Sequence, residues 1–282
     1  MAATQTPSGP PAELRFRPQL RLVASLRGLW RSRELVRSLA EREIRARYKQ
    51  AVLGFAWALI TPLALMLVFT AFFQRVAKVQ TSGAPYALFA YLGLLPWTFF
   101  STSMSQGGQS LILNTPLLNK VYCPREVFPL ASVVVAGTDM AVATVALVVL
   151  FPIMGYVPRA TSAWVPVLLL IQVAFTAGVT LAMSAVIVYL RDLRHALPIL
   201  LQLGLFATPV AYGIDAIPRG YRVLYSTLNP LAPVIDGYRR TVLLGRAPDW
   251  HLLGPGAAAA AIVLLGGYIA FRRMETGFAD VA

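Results

Sequence analysis

VLGFAWALITPLALMLVFTAFF, Val52 to Phe73, is 22 residues long and carries no charge. A helix of about 20 apolar residues spans the ~30 Å hydrocarbon core of a bilayer. This stretch therefore reads as a transmembrane helix, and the same pattern recurs down the chain. Six spans emerge, over 52–73, 86–106, 127–152, 164–190, 196–213 and 252–271. The expected fold class is an all-α integral membrane protein with six transmembrane helices per subunit. Reading the short fifth segment as non-spanning would leave five. Its Pro198 is expected in the first helical turn, a position proline accepts.

Composition agrees with lipid as the solvent. The 282 residues are 57% hydrophobic and 13% charged, whereas an ordinary soluble domain is about one quarter charged. Twenty glycines and twenty prolines are tolerated in membrane bundles, where neighbouring groups re-satisfy the backbone. The single cysteine, Cys123, permits neither an internal disulfide nor a cysteine-based metal cluster. Net charge is +13, but eleven of the 25 Lys and Arg fall between Arg15 and Lys49, just before the first span. That placement points to anionic cytoplasmic lipid or a cytoplasmic partner and not to nucleic acid.

The charges also set the orientation. With the N-terminus inside, the inner segments hold 17 basic residues and the outer ones eight, the bias of the positive-inside rule. Six spans then return the C-terminus to the cytoplasm. The expected divisions are a disordered tail over 1–18, a cytoplasmic basic segment over 19–50, a transmembrane domain over 51–271 and a cytoplasmic end over 272–282. The halves share no residue pattern, which gives no support to an inverted-repeat architecture.

Four constellations stand out. Ser32 caps a predicted amphipathic helix, Leu35, Val36, Leu39, Ala40, Ile44 and Tyr48 forming its apolar face among arginines 33, 37, 42, 45 and 47. Such a helix is expected to lie in the cytoplasmic interface plane, or to act as a charged anchor alone. The inner loop Leu111 to Leu130 mixes leucines with Asn and Lys, the pattern of a soluble partner's docking surface or of a helix lying on headgroups. Asp139 is an acid deep in the third span, with no membrane-buried Lys, Arg or His to pair with. It is expected to be structural or to line a pore. Aromatics cluster toward the outer side: Tyr86, Phe89, Tyr91, Trp97, Phe99 and Phe100, then Tyr212, Tyr221, Tyr225 and Tyr238. Interface belts account for most of these, and any that face a channel are able to stack on sugar rings. The segment 214–251 reads as an outer loop or as short helices re-entering the membrane. Nothing supports catalysis. His195 and His251 fall on opposite sides of the membrane, and a GxxxxGKS/T loop is absent.

Four segments, in order, resemble the membrane permeases of bacterial polysaccharide ABC exporters, the O-antigen and teichoic-acid type within the ABC-2 class. LAEREIRARYKQAVLGFAWALITPL (Leu39–Leu63) is similar to their opening motif. NTPLLNKVYCPREVFPLA (Asn114–Ala131) resembles their inner loop, with Asp139 following, though Cys123 stands where an aromatic is commoner. VYLRDLRHALPILLQLGLFATPVAYGIDAIP (Val188–Pro218) and LNPLAPVIDGYRRTVLLG (Leu228–Gly245) resemble the fifth span and the outer Asn-Pro segment.

The resemblance implies a homodimer driven by two cytoplasmic ATP-binding cassette subunits. ATP and Mg would sit on those partners, this chain binding no cofactor or metal. The cargo would be a lipid-linked glycan carried on undecaprenyl diphosphate across the bacterial cytoplasmic membrane. Asn114, Leu117, Leu118, Asn119, Lys120 and Tyr122 would form the coupling helix resting on the ATPase. Arg42, Arg45, Arg47 and Lys49 would meet the diphosphate, which guanidinium groups bind in bidentate fashion. Residues 214–245 would be re-entrant helices between spans five and six. A permease for a small lipid or drug would share this fold, whereas a proton-coupled transporter would work without an ATPase. A scaffold without transport would leave the outer re-entrant segment unexplained.

Overall fold

The computed structural model describes residues 32–48, 56–74, 81, 83–115 and 124–275. The expected tail, Lys49, Leu117, Leu118, Asn119, Lys120, Tyr122 and the chain end beyond 275 lie outside the described residues. The elements are α1 (Arg33–Tyr48), α2 (Ala56–Phe69) with a π-helical turn (Thr70–Gln74), α3 (Tyr86–Leu113), α4 (Val127–Ile153) and a 3₁₀ turn (Ala160–Trp164). Then follow α5 (Val165–Tyr189), α6 (Leu193–Ala207), 3₁₀ turns at Ile214–Ala216 and Arg219–Tyr221, α7 (Arg222–Leu228), α8 (Leu231–Val242) and α9 (Trp250–Met274). Among the described residues all regular structure is helical, and five helices are long and apolar enough to cross a membrane. Helices keep every backbone polar group paired within the segment, which hydrocarbon demands.

Two expected boundaries are corrected. The helix of the second span continues past 106 to Leu113, so the polar run STSMSQGGQS (101–110) is helical throughout. Ser101 Oγ donates to Thr98 O at 3.2 Å and Ser110 Oγ to Gly107 O at 2.7 Å, and Ser103 and Ser110 are buried. The fifth span starts at Leu193 and stops at Ala207, 15 residues, or about 22 Å of helix. Pro209 ends it: the residue before a proline is pushed to extended backbone, and Thr208 sits at φ −90°, ψ 143°. Pro198 lies in the second turn and not the first.

The long α3 is the hub. From Tyr86 to Trp97 its side chains are buried, and it packs on α4 and α5, with α2 and α8 against its flanks. α5 and α9 meet at bare backbone: a Cβ on Gly178 would lie 2.6 Å from the Leu264 Cα, and one on Gly267 would strike the Gly178 carbonyl. α1 is more than an interfacial anchor. Leu39 and Ala40 are buried with Leu111, Val127, Phe128, Ala131 and Val135, docking α1 onto α3 and α4.

One end of the bundle gathers α1, the end of α3, the start of α4 and the ends of α5 and α9. Arg125 Nη1 donates to Glu275 O at 2.7 Å, Tyr189 OH to Met274 O at 2.7 Å, and Arg272 Nη1 lies 3.7 Å from Glu126 Oε2. The opposite end holds the start of α3, the bend after α6 and the end of α8. There Tyr86 OH donates to Ala211 O at 2.7 Å, and Tyr156 OH donates to Leu243 O.

Candidate functional site

Two open clefts lie side by side along α3. The polar one, ≈ 520 Å³, lies between α1 and the last turns of α3 and is lined by Arg42, Glu43, Arg47, Ser105, Gln106, Gln109, Ser110, Asn114 and Ser132. Two guanidinium groups face one acid there. Burial pushes the Glu43 carboxyl above its usual range, outweighing the pull of Arg47 and then Arg42. The second cleft, ≈ 530 Å³, lies between α2, α3, α4 and α6 and is walled by Trp57, Pro62, Leu65, Trp97, Phe99, Met140 and Leu205, with Thr61, Thr98, Ser101 and Thr102 among them. Arg47 and Gln106 border both.

The boundary is an ion pair. Arg47 Nη1 lies 2.8 Å from Asp139 Oδ2, and its Nη2 donates to Gln106 Oε1. α1, α3 and α4 are thereby tied at one point, with the Arg47 and Asp139 side chains 31% and 20% exposed. Asp139 nonetheless has a basic partner, and it comes from α1, outside the candidate membrane-spanning helices. The remaining signal was Ser105, Gln106 and Gln109, polar residues clustered on a membrane helix.

The other predicted residues separate. Arg42 Nη2 donates to Asn114 Oδ1 at 2.8 Å, and Asn114 also caps α3 through Ser110 O. Arg45 points away from the polar cleft, 72% exposed and 3.6 Å from Glu41. Of the six outer aromatics, Trp97 and Phe99 border the second cleft, whereas Tyr86, Phe89, Tyr91 and Phe100 are packed within the bundle. Tyr91 OH donates to Ala143 O at 2.8 Å, and Phe100 stacks on Phe175 at 5.6 Å.

Sequence reasoning missed Arg239. It is 3% exposed on α8 and donates to Phe89 O at 3.0 Å, to Pro209 O and Tyr212 O at 2.8 Å each, and to Val210 O. Its guanidinium carbon lies 3.6 Å from the Phe89 ring centroid, a cation–π geometry. One side chain thus pins the bend after α6 to α3 and α8. No group of three or more His, Cys, Asp or Glu able to hold a metal exists among the described residues.

Comparison with known proteins gives one consistent pattern. Residues 34–243 match the ABC-2 type transporter family. The chain is 33% identical over 260 residues to the O-antigen export system permease protein RfbA of Myxococcus xanthus, covering 92% of this chain and 99% of that protein. It is 27% identical over 249 residues to a Klebsiella pneumoniae protein of the same name (88% and 95% covered). To the polysialic acid transport protein KpsM of Escherichia coli it is 24% identical over 245 residues, with 85% and 93% covered.

Proposed function

Because this chain belongs to the ABC-2 type transporter family, a family of multi-pass, non-catalytic membrane permeases, we propose that it is the permease subunit of an ATP-driven exporter of a lipid-linked polysaccharide. Relatives named for O-antigen export and polysialic acid transport, aligned over 85% or more of this chain, support that cargo class. The observation that carries the reading is the adjacency of the two clefts, which share Arg47 and Gln106 in their linings. A headgroup held by Arg42 and Arg47 would lie across the Arg47–Asp139 pair from a wall of Trp57, Trp97 and Phe99. Guanidinium forks suit phosphate oxygens. Aromatic faces offer a moving sugar contact area without demanding a fixed hydrogen-bond register.

Each part of the chain has a place in this mechanism. Arg42 and Arg47 receive the diphosphate of an undecaprenyl carrier from the inner leaflet, and the charges of Arg45 and Lys49 add attraction of the same sign. Trp97 and Phe99 face the glycan, while Tyr86, Phe89, Tyr91 and Phe100 stiffen the wall behind them. The segment from Asn114 to Tyr122 is the coupling contact for a cytoplasmic ATPase, with Leu117 and Leu118 as its apolar anchors. ATP and Mg bind that partner, and two copies of each subunit complete the exporter.

Six crossings with both termini cytoplasmic fit this scheme in the bacterial inner membrane. Near its start α6 packs on the last turns of α3, Leu197 facing Gly108, and the bend after it reaches Tyr86 at the opposite end. The short helix plus Thr208–Tyr212 supports reading a crossing here, with α7 and α8 as the re-entrant outer segment. The test is isolation of the tagged protein in mild detergent, with identification of the bound subunit and extracted lipid. An ATP-binding cassette subunit together with a lipid-linked glycan is expected; a complex lacking the ATPase would refute the proposal.

A further inference from the structure

The outer end of the bundle carries a third cleft, ≈ 280 Å³, bordered by Phe89, Tyr212, Asp215, Asp236 and Arg239. Pockets for drug-sized ligands run from ~300 to 1,000 Å³, so this one suits a single ring. Two arginines brace it. Arg239 donates to the carbonyls of Phe89, Pro209, Val210 and Tyr212. Arg222 fixes the rim, its Nε donating to Ile217 O at 2.8 Å and its Nη2 to Asp215 O at 2.9 Å, with Nη1 3.1 Å from Asp215 Oδ1. Asp236 is less well served. Its side chain is 18% exposed, and among the described residues it accepts no hydrogen bond; Arg240 Nη1 lies 3.9 Å away and is shared with Asp249 at 3.6 Å. A part-buried carboxylate without hydrogen bonds is costly, and this one borders the cleft.

An ionised carboxylate only accepts, so the fitting occupant is a donor. A cation gains little there, because Arg222, Arg239 and Arg240 already stand around the two acids. A neutral ring with several hydroxyls meets the acceptors without that repulsion, and Phe89 and Tyr212 offer its C–H edges apolar contact. The cleft also lies further along the elements that wall the aromatic cleft. Trp97 on α3 and Leu205 on α6 border the aromatic cleft. Phe89, eight residues earlier on α3, and Tyr212, just past α6, border this one; along α3 the step is about 12 Å. We infer that the outer cleft is a sugar-binding subsite, in which the carboxylates of Asp236 and Asp215 accept hydroxyl hydrogens from one ring of the emerging glycan. The inference rests on the polysaccharide reading above and adds a contact beyond the aromatic cleft. A ring bound there lowers the free energy of the advanced chain, so the polymer slips back less between strokes of the ATPase.

The probe is the cell's own lipid-linked glycan. A photo-crosslinking amino acid is placed at Ala216, exposed on the cleft rim, and in a second strain at Thr102 on the aromatic cleft. Both strains carry an active partner ATPase and are illuminated during export. Glycan adducts are expected at both positions. Asp236→Asn, which keeps the side-chain shape, is expected to lower the Ala216 adducts about tenfold, the scale of one charge-assisted hydrogen bond, and to leave those at Thr102 unchanged. Asp215→Asn is expected to act in the same direction. Adducts at Thr102 with none at Ala216, or Ala216 adducts indifferent to both substitutions, would overturn the subsite and leave the export reading standing. No adducts at either position, in a complex that holds its ATPase, would refute the export reading and the subsite with it. Should Asp236→Asn fail to assemble, Asp215→Asn, at a side chain 85% exposed, decides alone.

Discussion

Replacing Arg239 with methionine keeps an unbranched side chain of similar reach and removes every donor. Arg239 bonds the carbonyls of Phe89, Pro209, Val210 and Tyr212. Phe89 lies in the first turn of α3, where its carbonyl has an intrahelical N–H as a second donor. The carbonyls of Pro209, Val210 and Tyr212 lie in the bend after α6. Each buried acceptor left unpaired costs about 1–3 kcal/mol. Tyr212 and Arg239 border a ≈ 280 Å³ outer cleft, through which water reaches part of the bend, so the lower end of that range applies. Three losses of about 1 kcal/mol each give a net destabilisation of roughly 3 kcal/mol. For a chain of this size that is a fall of about 10 °C in melting temperature. Arg239→Lys, with three donors on a compact ammonium, is expected to lose about half as much. The same bend is reachable from the opposite side. A Cβ on Gly93 would press on Arg239 Nη2 and lie 2.5 Å from Val210 O, so Gly93→Ala should copy the defect. The assay is thermal unfolding in nanodiscs, read by intrinsic tryptophan fluorescence. If Arg239→Met melts within about 2 °C of the parent and Gly93→Ala is silent, the clamp carries no weight and the reasoning is wrong.

Gly178→Ala should part α5 from α9 and cost about 1–3 kcal/mol, visible as a lower melting temperature, and parental melting would refute the tight crossing. Glu126 is a buried acid whose Oε2 has no hydrogen bond, and burial raises its carboxyl above the ordinary 4.5. Its charged form therefore destabilises the fold as pH rises above that value. Glu126→Gln should flatten the fall in melting temperature as pH rises above about 4.5, and an unchanged slope would refute the assignment. Leu117→Asp with Leu118→Asp should release the ATPase subunit during affinity isolation while leaving the melting temperature intact; retained complex would contradict the coupling role.

How much of this was legible in the sequence depends on what fixes each feature. Long apolar runs are set by the need to bury backbone and side chains in lipid, so 127–152 and 164–190 fall within a residue or two of α4 and α5. Where packing decides, sequence is weaker. The polar turns from Ser103 to Ser110 remain helical because α4 and α5 cover them, and no local pattern in one chain reveals that cover. The end of α6 was in principle readable from Pro209, whose effect on Thr208 is local. Asp139 was found by the cost of burying a charge, but its partner lies 92 residues away on a helix assigned to the surface. Only tertiary docking through Leu39 and Ala40 brings Arg47 within reach. Arg239 was hidden for a related reason. As one of two adjacent arginines in an outer segment it reads as solvated, and its four acceptors exist only once α3, the bend after α6 and α8 have met.

The central claim is that the glycan moves along the aromatic cleft between α2, α3, α4 and α6. Its most direct test places a photo-crosslinking amino acid at Thr61 or Thr102, on the cleft wall, and at Ile262, exposed on α9. Cells carry a partner ATPase stalled by loss of its catalytic carboxylate, and adducts to the lipid-linked glycan are scored after illumination. Adducts at Thr61 and Thr102 with none at Ile262 are predicted. Equal labelling at all three positions, or none at the cleft positions in a complex that still holds its ATPase, would contradict the account.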